Sequence, residues 1–144
     1  AAGADVVSID CTDCVRGDGL TPTEFLKAVR EEYPNIIIMA DCATFEEGVA
    51  AHAAGADLVG TTMNGYTPQT AGETGEPNFA LVARLVKTLP CPVIAEGRIH
   101  TPEQARKMLE IGAWAVVVGG AITRPLEIAS RFMAAVRDLP GGMV

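Results

Sequence analysis

Acidic side chains stand at the ends of three apolar runs in this sequence. Glu96 directly follows the apolar residues 93–95 with no turn residue between them, and Asp10 and Asp41 close two earlier runs. A carboxylate that emerges from a buried strand is partly desolvated, which raises its pKa toward the range needed for proton transfer near neutral pH. Each carboxylate alone is equally compatible with a helix cap or a solvated loop, but three at equivalent positions favour a shared site.

Glycine and arginine residues in the last two loops predict a phosphate site. Gly119-Gly120 exposes backbone N–H groups that no side chain obstructs, and a helix start adds its positive dipole end. Arg124 supplies a bidentate donor at the same end, and Gly97-Arg98 stands in the preceding loop. The glycine pair alone would indicate no more than a tight turn.

Five apolar runs predict five β-strands, at residues 6–10, 36–40, 58–61, 93–95 and 115–118. The runs are continuous rather than alternating, which is typical of parallel strands covered on both faces. Glycine is the favoured residue just past a helix end, and Gly3, Gly55 and Gly112 each precede a strand. These glycines therefore predict a helix before the strand in each case.

Helices fill the gaps between the predicted strands. Thr21, Thr44 and Thr101 are each followed three residues later by Glu or Gln, which is the capping-box pattern of a helix start. Two more helices are predicted near residues 78–88 and 125–138. The resulting strand–helix repeat allows either a barrel or a doubly wound sheet, and no GxGxxG follows a strand to favour a dinucleotide site.

Parallel α/β folds place their chemistry at the carboxyl ends of the strands. The third predicted strand ends in Thr61-Thr62, so these residues join the candidates. A complete (βα)8 barrel needs about 200 residues or more, and five units therefore predict one partial TIM-barrel domain over residues 1–144, lacking its first three units. A complete small α/β domain is the alternative.

Composition narrows the function classes. The net charge of −7 argues against nucleic acid, whose phosphates require clustered Lys and Arg. No apolar run reaches the roughly 18 residues of a membrane span, so we expect no membrane partner. Cys11 and Cys14 have CxxC spacing without a second pair, which favours incidental thiols in a reducing cytoplasm over a redox or zinc site. We therefore expect a cytoplasmic protein with no metal site.

Four segments resemble a known family: "MADCATFEEG", "GTTMNGYTP", "VIAEGRIHTP" and "VVVGGAITRP". Their order and spacing are similar to those of the N-acetylmannosamine-6-phosphate 2-epimerases, and the resemblance runs through nearly all 144 residues. It implies a (βα)8 TIM barrel, of which this chain would form units four to eight. It also implies a cofactor-free isomerase of sialic acid breakdown that interconverts N-acetylmannosamine 6-phosphate and N-acetylglucosamine 6-phosphate by moving a proton at C2.

The resemblance implies a role for individual residues. Glu96 would be the catalytic acid or base, Asp41 would assist it, and Arg124 would hold the phosphate beside Gly97 and Gly120. With the strand-end residues, the candidates for substrate or phosphate binding are Gly97, Arg98, Gly119, Gly120, Arg124, Asp10, Thr61 and Thr62.

The sequence departs from the family at two points. The family's catalytic lysine belongs to a strand that this chain does not contain, so the chain alone is expected to be inactive. The segment "DCTDCVRGDG" keeps Asp10, Thr12 and Arg16 but lacks the closing Arg-Pro of the family. Another phosphate-binding TIM-barrel isomerase or lyase, or a non-catalytic sugar-phosphate-binding half-barrel, is the alternative. Unpaired strand edges predict a homo-oligomer.

Overall fold

The computed structural model describes residues 3–14, 16–73 and 75–137. Strands and helices alternate from the first strand to the fifth, as the sequence predicts, and each helix between two strands returns the chain to the start of the next strand. The elements are β1 Val6–Asp10, α1 Pro22–Glu32, β2 Ile37–Asp41, α2 Phe45–Ala53, β3 Leu58–Gly60, α3 Phe79–Thr88, β4 Val93–Glu96, α4 Pro102–Ile111, β5 Ala115–Val117, α5 Gly120–Thr123 and α6 Pro125–Arg137.

The five strands form one parallel sheet in the order β1-β2-β3-β4-β5. A doubly wound sheet reverses its strand order at a switch point, and this order contains no reversal. Right-handed crossovers that always step in the same direction place their helices on the same face of the sheet. The arrangement is therefore that of consecutive units of a βα barrel.

The two faces of the sheet have different surroundings. Ile38, Val59 and Ala95 are fully buried in a core that includes Leu26 of α1 and Leu85 of α3. The opposite face is more open. Val6, Ile37 and Val117 are 40 to 44% exposed there, whereas Ile94 on the same face is 5% exposed. The prediction that both faces are covered is thus wrong for the described residues, because the helices pack against one face.

Strand register places the two candidate catalytic carboxylates on the more exposed face. Asp41 pairs with Asp10 across β1 and β2, and with Gly60 across β2 and β3. Gly60 pairs with Ile94, and side chains two residues apart on a strand share a face, so Glu96 lies on the same face as Asp41. Both carboxylates therefore stand at the carboxyl edge of the uncovered face.

Local sequence signals account for the helix ends. Thr21, Thr44 and Thr101 each form both hydrogen bonds of a capping box. Gly112 ends α4 with a φ of +107°, and Gly55 follows α2 with a φ of +112°. The helix that Gly3 was predicted to close falls on residues 1 and 2, and the predicted end of the last helix falls on Asp138, all outside the described residues.

Boundaries differ from the predictions at the strand ends. Strand β2 runs through Asp41, and β4 includes Glu96, while β3 stops at Gly60 before Thr61. The short helix α5 was not predicted. None of the helices in the described ranges is long and apolar enough to cross a bilayer.

Candidate active site

The end of β4 is held in place by the neighbouring strand. The hydroxyl of Thr61 accepts a hydrogen bond from the backbone N–H of Glu96 at 3.0 Å and donates one to its carbonyl oxygen at 2.9 Å. Thr61 is only 3% exposed. The side chain is buried, and its hydroxyl positions the backbone of Glu96, whereas a contact of Thr61 with substrate stays a prediction.

Glu96 itself is half-buried at the carboxyl end of β4, after three buried residues. Burial raises the pKa of the Glu96 carboxyl above its ordinary value, and the nearby charge of Asp41 raises it further, whereas the Thr62 hydroxyl lowers this pKa when it donates to Glu96 instead of Asp41. A carboxyl group in this environment exchanges its proton closer to neutral pH than an exposed glutamate does. This is the property expected of a general acid or base.

Asp41 lies beside Glu96 and is connected to it by a hydroxyl group. Thr62 Oγ1 donates to Asp41 Oδ1 at 2.7 Å and stands 3.1 Å from Glu96 Oε2. The second oxygen of Asp41 accepts a hydrogen bond from Ser8. Sequence reasoning missed Ser8, although its position two residues before Asp10 places it on the same face of β1.

Asp10 makes its hydrogen bonds within the loop that follows β1. Its Oδ1 accepts hydrogen bonds from the backbone N–H of Thr12 at 2.9 Å and from the Thr12 hydroxyl at 2.6 Å. Short Asp side chains commonly close turns in this way. Asp10 is adjacent to Asp41 in the sheet, but its hydrogen bonds match the alternative of a loop residue that the sequence left open.

A cavity of about 380 Å³ opens at the carboxyl edge of β3, β4 and β5. It brings together most of the candidates from three different loops, including Glu96 and Arg124. Tyr66, His100 and Glu127 also line it and are not among the predicted site residues. The predicted site residues on its wall are Thr62, Glu96, Gly97, Arg98, Gly119, Gly120 and Arg124.

Arg98 is bound to the loop that follows β3. Its guanidinium donates to Asn64 Oδ1 at 2.6 Å and to the carbonyl oxygen of Glu73. A Cβ atom at Gly65 would collide with this guanidinium, so the approach requires glycine there. Arg98 also has a φ of +57°, in the left-handed region. A phosphate contact by Arg98 stays a prediction, whereas its hydrogen bonds to the loop are observed.

Arg124 and Gly120 already lie against an anionic group. Arg124 Nη1 donates to Glu127 Oε1 at 2.8 Å. A Cβ atom at Gly120 would lie only 2.8 Å from Glu127 Oε2, so the carboxylate packs directly on the glycine backbone. The hydrogen bond from Arg124 lowers the pKa of Glu127. This end of the cavity therefore accommodates a negative charge.

The cysteines stand apart from this chemistry. Cys11 is buried and Cys14 is exposed, and all four cysteines are free. Burial, with added repulsion from Asp10 and Asp41, raises the pKa of the Cys11 thiol to about 12, so it stays protonated and unreactive at neutral pH. Within residues 3–14, 16–73 and 75–137, no group of three or more His, Cys, Asp or Glu could hold a metal ion.

The raised pKa of Glu96 makes stability depend on pH in a defined direction. The folded state binds the Glu96 proton more tightly than the unfolded state does, so stability falls as pH rises through the window above the ordinary value of about 4.3. Glu96→Gln removes the titrating group, so its stability should not fall in this way as pH rises. We expect the variant to have a higher melting temperature than the wild type at pH 7, with the difference shrinking as pH falls to about 4.

Thermal unfolding followed by circular dichroism at both pH values checks this expectation. Glu110→Gln is the matched control, because Glu110 lies on the surface of α4 with its side chain 60% exposed. A Glu96→Gln variant that is less stable than the wild type at pH 7 would contradict the assigned direction of the pKa shift.

Comparison with known proteins agrees with this geometry. The family model described as putative N-acetylmannosamine-6-phosphate epimerase matches residues 1–138. Putative N-acetylmannosamine-6-phosphate 2-epimerases of Caldanaerobacter subterraneus and Cutibacterium acnes are 51% and 49% identical to the chain, each over 95% of its length. The chain spans only 57% and 60% of these two relatives.

Solved structures show the same relationship. The N-acetylmannosamine-6-phosphate 2-epimerase from Clostridium perfringens superposes with a TM-score of 0.83 at 41% identity, over 92% of this chain and 57% of that one. A thiamine phosphate pyrophosphorylase from Pyrococcus furiosus, with a TM-score of 0.61 at 21% identity, shares the fold. The predicted βα-barrel class and the predicted resemblance are both confirmed, and the chain belongs to the N-acetylmannosamine-6-phosphate epimerase family.

Proposed function

We propose that this chain carries the acid–base and phosphate-binding part of an isomerase that interconverts N-acetylmannosamine 6-phosphate and N-acetylglucosamine 6-phosphate, as in amino sugar catabolism. The observation that carries the proposal is the cavity that places Glu96, a half-buried carboxyl with a raised pKa, together with Arg124 and two backbone glycines. The names of the relatives with which the chain shares its sequence support the substrate.

Inversion at C2 requires a proton to leave one face of the carbon and to return on the other. The C2 proton is acidic when C1 is a carbonyl group in the open-chain sugar, because the resulting negative charge spreads onto the C1 oxygen. In this proposal Glu96 exchanges a proton with one face of C2. Asp41 assists by holding the Thr62 hydroxyl that lies beside the Glu96 carboxyl. The reaction transfers only protons, so it needs no cofactor.

The other face of C2 needs a second proton-transfer group. The lysines of this chain lie on helices and not at strand ends: Lys27 on α1, Lys87 on α3 and Lys107 on α4. The lysine that the resemblance implies would come from a part of the relatives that this chain does not span. We therefore propose that these residues hold one half of the acid–base pair.

The phosphate would bind at the opposite end of the cavity. Arg124 offers a planar fork of donors, and Gly119 and Gly120 leave the backbone accessible. The carboxylate of Glu127 lies on Arg124 and Gly120 in this structure. That contact supports an anion site there, since one negatively charged group is already accommodated.

The test uses the 144-residue chain with N-acetylmannosamine 6-phosphate in deuterated water, followed by proton NMR. In a parallel sample in ordinary water, where the amide protons are retained, we expect the phosphorylated sugar to shift the amide signals of Gly97, Gly119 and Gly120. In deuterated water, we expect the C2 proton to be replaced slowly by deuterium. No N-acetylglucosamine 6-phosphate should form, because only one face of C2 has a proton-transfer group.

Other outcomes separate the remaining functions. The unphosphorylated sugar is the control, and it should shift these amides far less. Binding without exchange of the C2 proton would favour a non-catalytic sugar-phosphate-binding module. Neither binding nor exchange would favour another isomerase or lyase on the same barrel, and epimerisation by the chain alone would overturn the requirement for a second group.

We also propose a cytoplasmic location, one partial barrel domain over residues 1–144, and a homo-oligomer. Four free cysteines support a reducing compartment. The outer edges of β1 and β5 and the exposed apolar side chains of α6, Leu126, Phe132 and Met133, support self-association.

A further inference from the structure

One hydroxyl group lies between two carboxylates at the site. Thr62 Oγ1 is 2.7 Å from Asp41 Oδ1 and 3.1 Å from Glu96 Oε2. A threonine hydroxyl has one proton to donate and two lone pairs that accept. It cannot donate to both carboxylates at once, and the shorter distance assigns the proton to Asp41.

The backbone around Thr62 is built for this contact. Thr61 is tied to the backbone of Glu96, and the N–H of Met63 donates to the carbonyl oxygen of Cys42 at 3.1 Å. A Cβ atom at Gly60 would lie 3.1 Å from Thr62 Oγ1 and 3.4 Å from Asp41 Oδ1. The absence of a side chain at Gly60 therefore leaves room for the Thr62–Asp41 hydrogen bond.

When Thr62 donates to Asp41, its lone pairs face Glu96. An ionised Glu96 would then place a negative oxygen against a lone pair and near the charge of Asp41. A protonated Glu96 donates to Thr62 instead, and every group in the chain Glu96–Thr62–Asp41 is satisfied. Ser8 donates to the other oxygen of Asp41 and completes the arrangement.

We propose that Thr62 is a positioning residue whose single proton couples Glu96 to Asp41, so that Glu96 holds its proton while Asp41 is charged. The coupling is a property of the free protein, and its use in catalysis rests on the proposed function. When Glu96 gives up its proton, the Thr62 hydroxyl rotates from Asp41 to Glu96 and stabilises the new carboxylate. The O–H bond of Glu96 breaks, and the proton forms an O–H bond with solvent in the free protein or a C–H bond at C2 in the proposed reaction.

Other titratable groups line the same cavity, namely Tyr66, Arg98, His100, Arg124 and Glu127. Arg98 donates to the loop after β3, and Arg124 is paired with Glu127. Asp41 from β2 is the acidic group that a hydrogen bond through Thr62 links to Glu96. The coupling is therefore tested by changing Asp41 and Thr62 separately and together.

The experiment is a double-mutant cycle read by carbon-13 NMR of the Glu96 carboxyl in the free 144-residue chain. The proteins are the wild type, Asp41→Asn, Thr62→Val and the double variant, each titrated without sugar. Asp41→Asn removes a negative charge in both backgrounds. Its amide oxygen is a weaker acceptor than the carboxylate, so only with Thr62 present does the change also favour donation of the Thr62 hydroxyl to an ionised Glu96. We expect Asp41→Asn to increase the acid dissociation constant of Glu96, which lowers its pKa, in both backgrounds. The factor of increase should be about tenfold larger with Thr62 present than in the Thr62→Val background.

Thr62→Ser keeps the hydroxyl and should restore the wild-type response. If the amide spectrum shows that Thr62→Val disturbs β4, Thr62→Ala takes its place in the cycle. Equal effects of Asp41→Asn in the two backgrounds would overturn the proposal, because the carboxylates would then interact only through space. No substrate is present, so this result is independent of whether the protein is an epimerase.

Discussion

Glu96→Gln is expected to lower the rate of C2 epimerisation by about 10²–10⁴-fold. The rate is measured in a full-length protein in which this chain follows the N-terminal part of its Caldanaerobacter relative. Glutamine has the same shape as glutamate but cannot exchange a proton, so binding of the sugar phosphate should change little. Proton NMR of the two sugars gives the rate, and calorimetric titration gives the affinity.

Glu110→Gln in the same protein is the control for loss of a glutamate. Glu110 lies on α4, the helix that follows the strand of Glu96. On the surface of this helix, Arg106 Nε lies 2.8 Å from Glu110 Oε1. Glu110→Gln should leave the rate unchanged. Turnover by Glu96→Gln close to that of the control would remove Glu96 from the proposed acid–base role.

Arg124→Ala is expected to weaken binding of the 6-phosphate sugar by about 10- to 100-fold. The variant would lose the proposed charge-assisted contacts between the Arg124 guanidinium and the phosphate. Binding of unphosphorylated N-acetylmannosamine should change little, because that sugar has no partner for Arg124. Calorimetric titration of the full-length protein with both sugars measures the two effects.

Arg106→Ala is the matched control for loss of an arginine. The Arg106 side chain is 82% exposed on α4 and pairs with Glu110. Its replacement should therefore leave the binding affinity for both sugars unchanged. Equal losses with both sugars in Arg124→Ala would show that the residue supports the loop instead of the phosphate. Arg124 pairs with Glu127 three residues later, so this structural effect is a real alternative.

Local chemistry accounts for what the sequence predicted about the fold. Helix starts depend on a hydroxyl and a carboxyl or amide three residues apart, which the sequence displays directly at Thr21, Thr44 and Thr101. Two helix ends carry a glycine with positive φ, namely Gly55 just after α2 and Gly112 at the end of α4. These signals divide the chain into strand–helix units before any tertiary contact is known.

The same local pattern located the candidate site at the strand ends. Glu96 emerges from a buried strand, and Arg124 follows a glycine pair in the next loop. A parallel sheet brings all its carboxyl ends to one edge, so residues at equivalent points of successive units converge there. The cavity contains both residues, as the topology requires.

Only the tertiary structure determines which hydrogen bonds each of these side chains makes. Thr61 and Thr62 are adjacent and chemically identical, but one is buried against the backbone of Glu96 and the other bridges two carboxylates. Asp10 and Asp41 end neighbouring strands, yet Asp10 closes its own turn and Asp41 binds Thr62.

These assignments depend on distances between residues that are far apart in the chain. Thr62 meets Asp41 across 21 positions and Glu96 across 34, and Arg98 reaches Asn64 across 34. Residue type and spacing predict which residues lie at the edge of the sheet, because the end of a strand is a local feature of the sequence. Which pairs form hydrogen bonds follows from strand register and loop packing, which only the folded chain establishes.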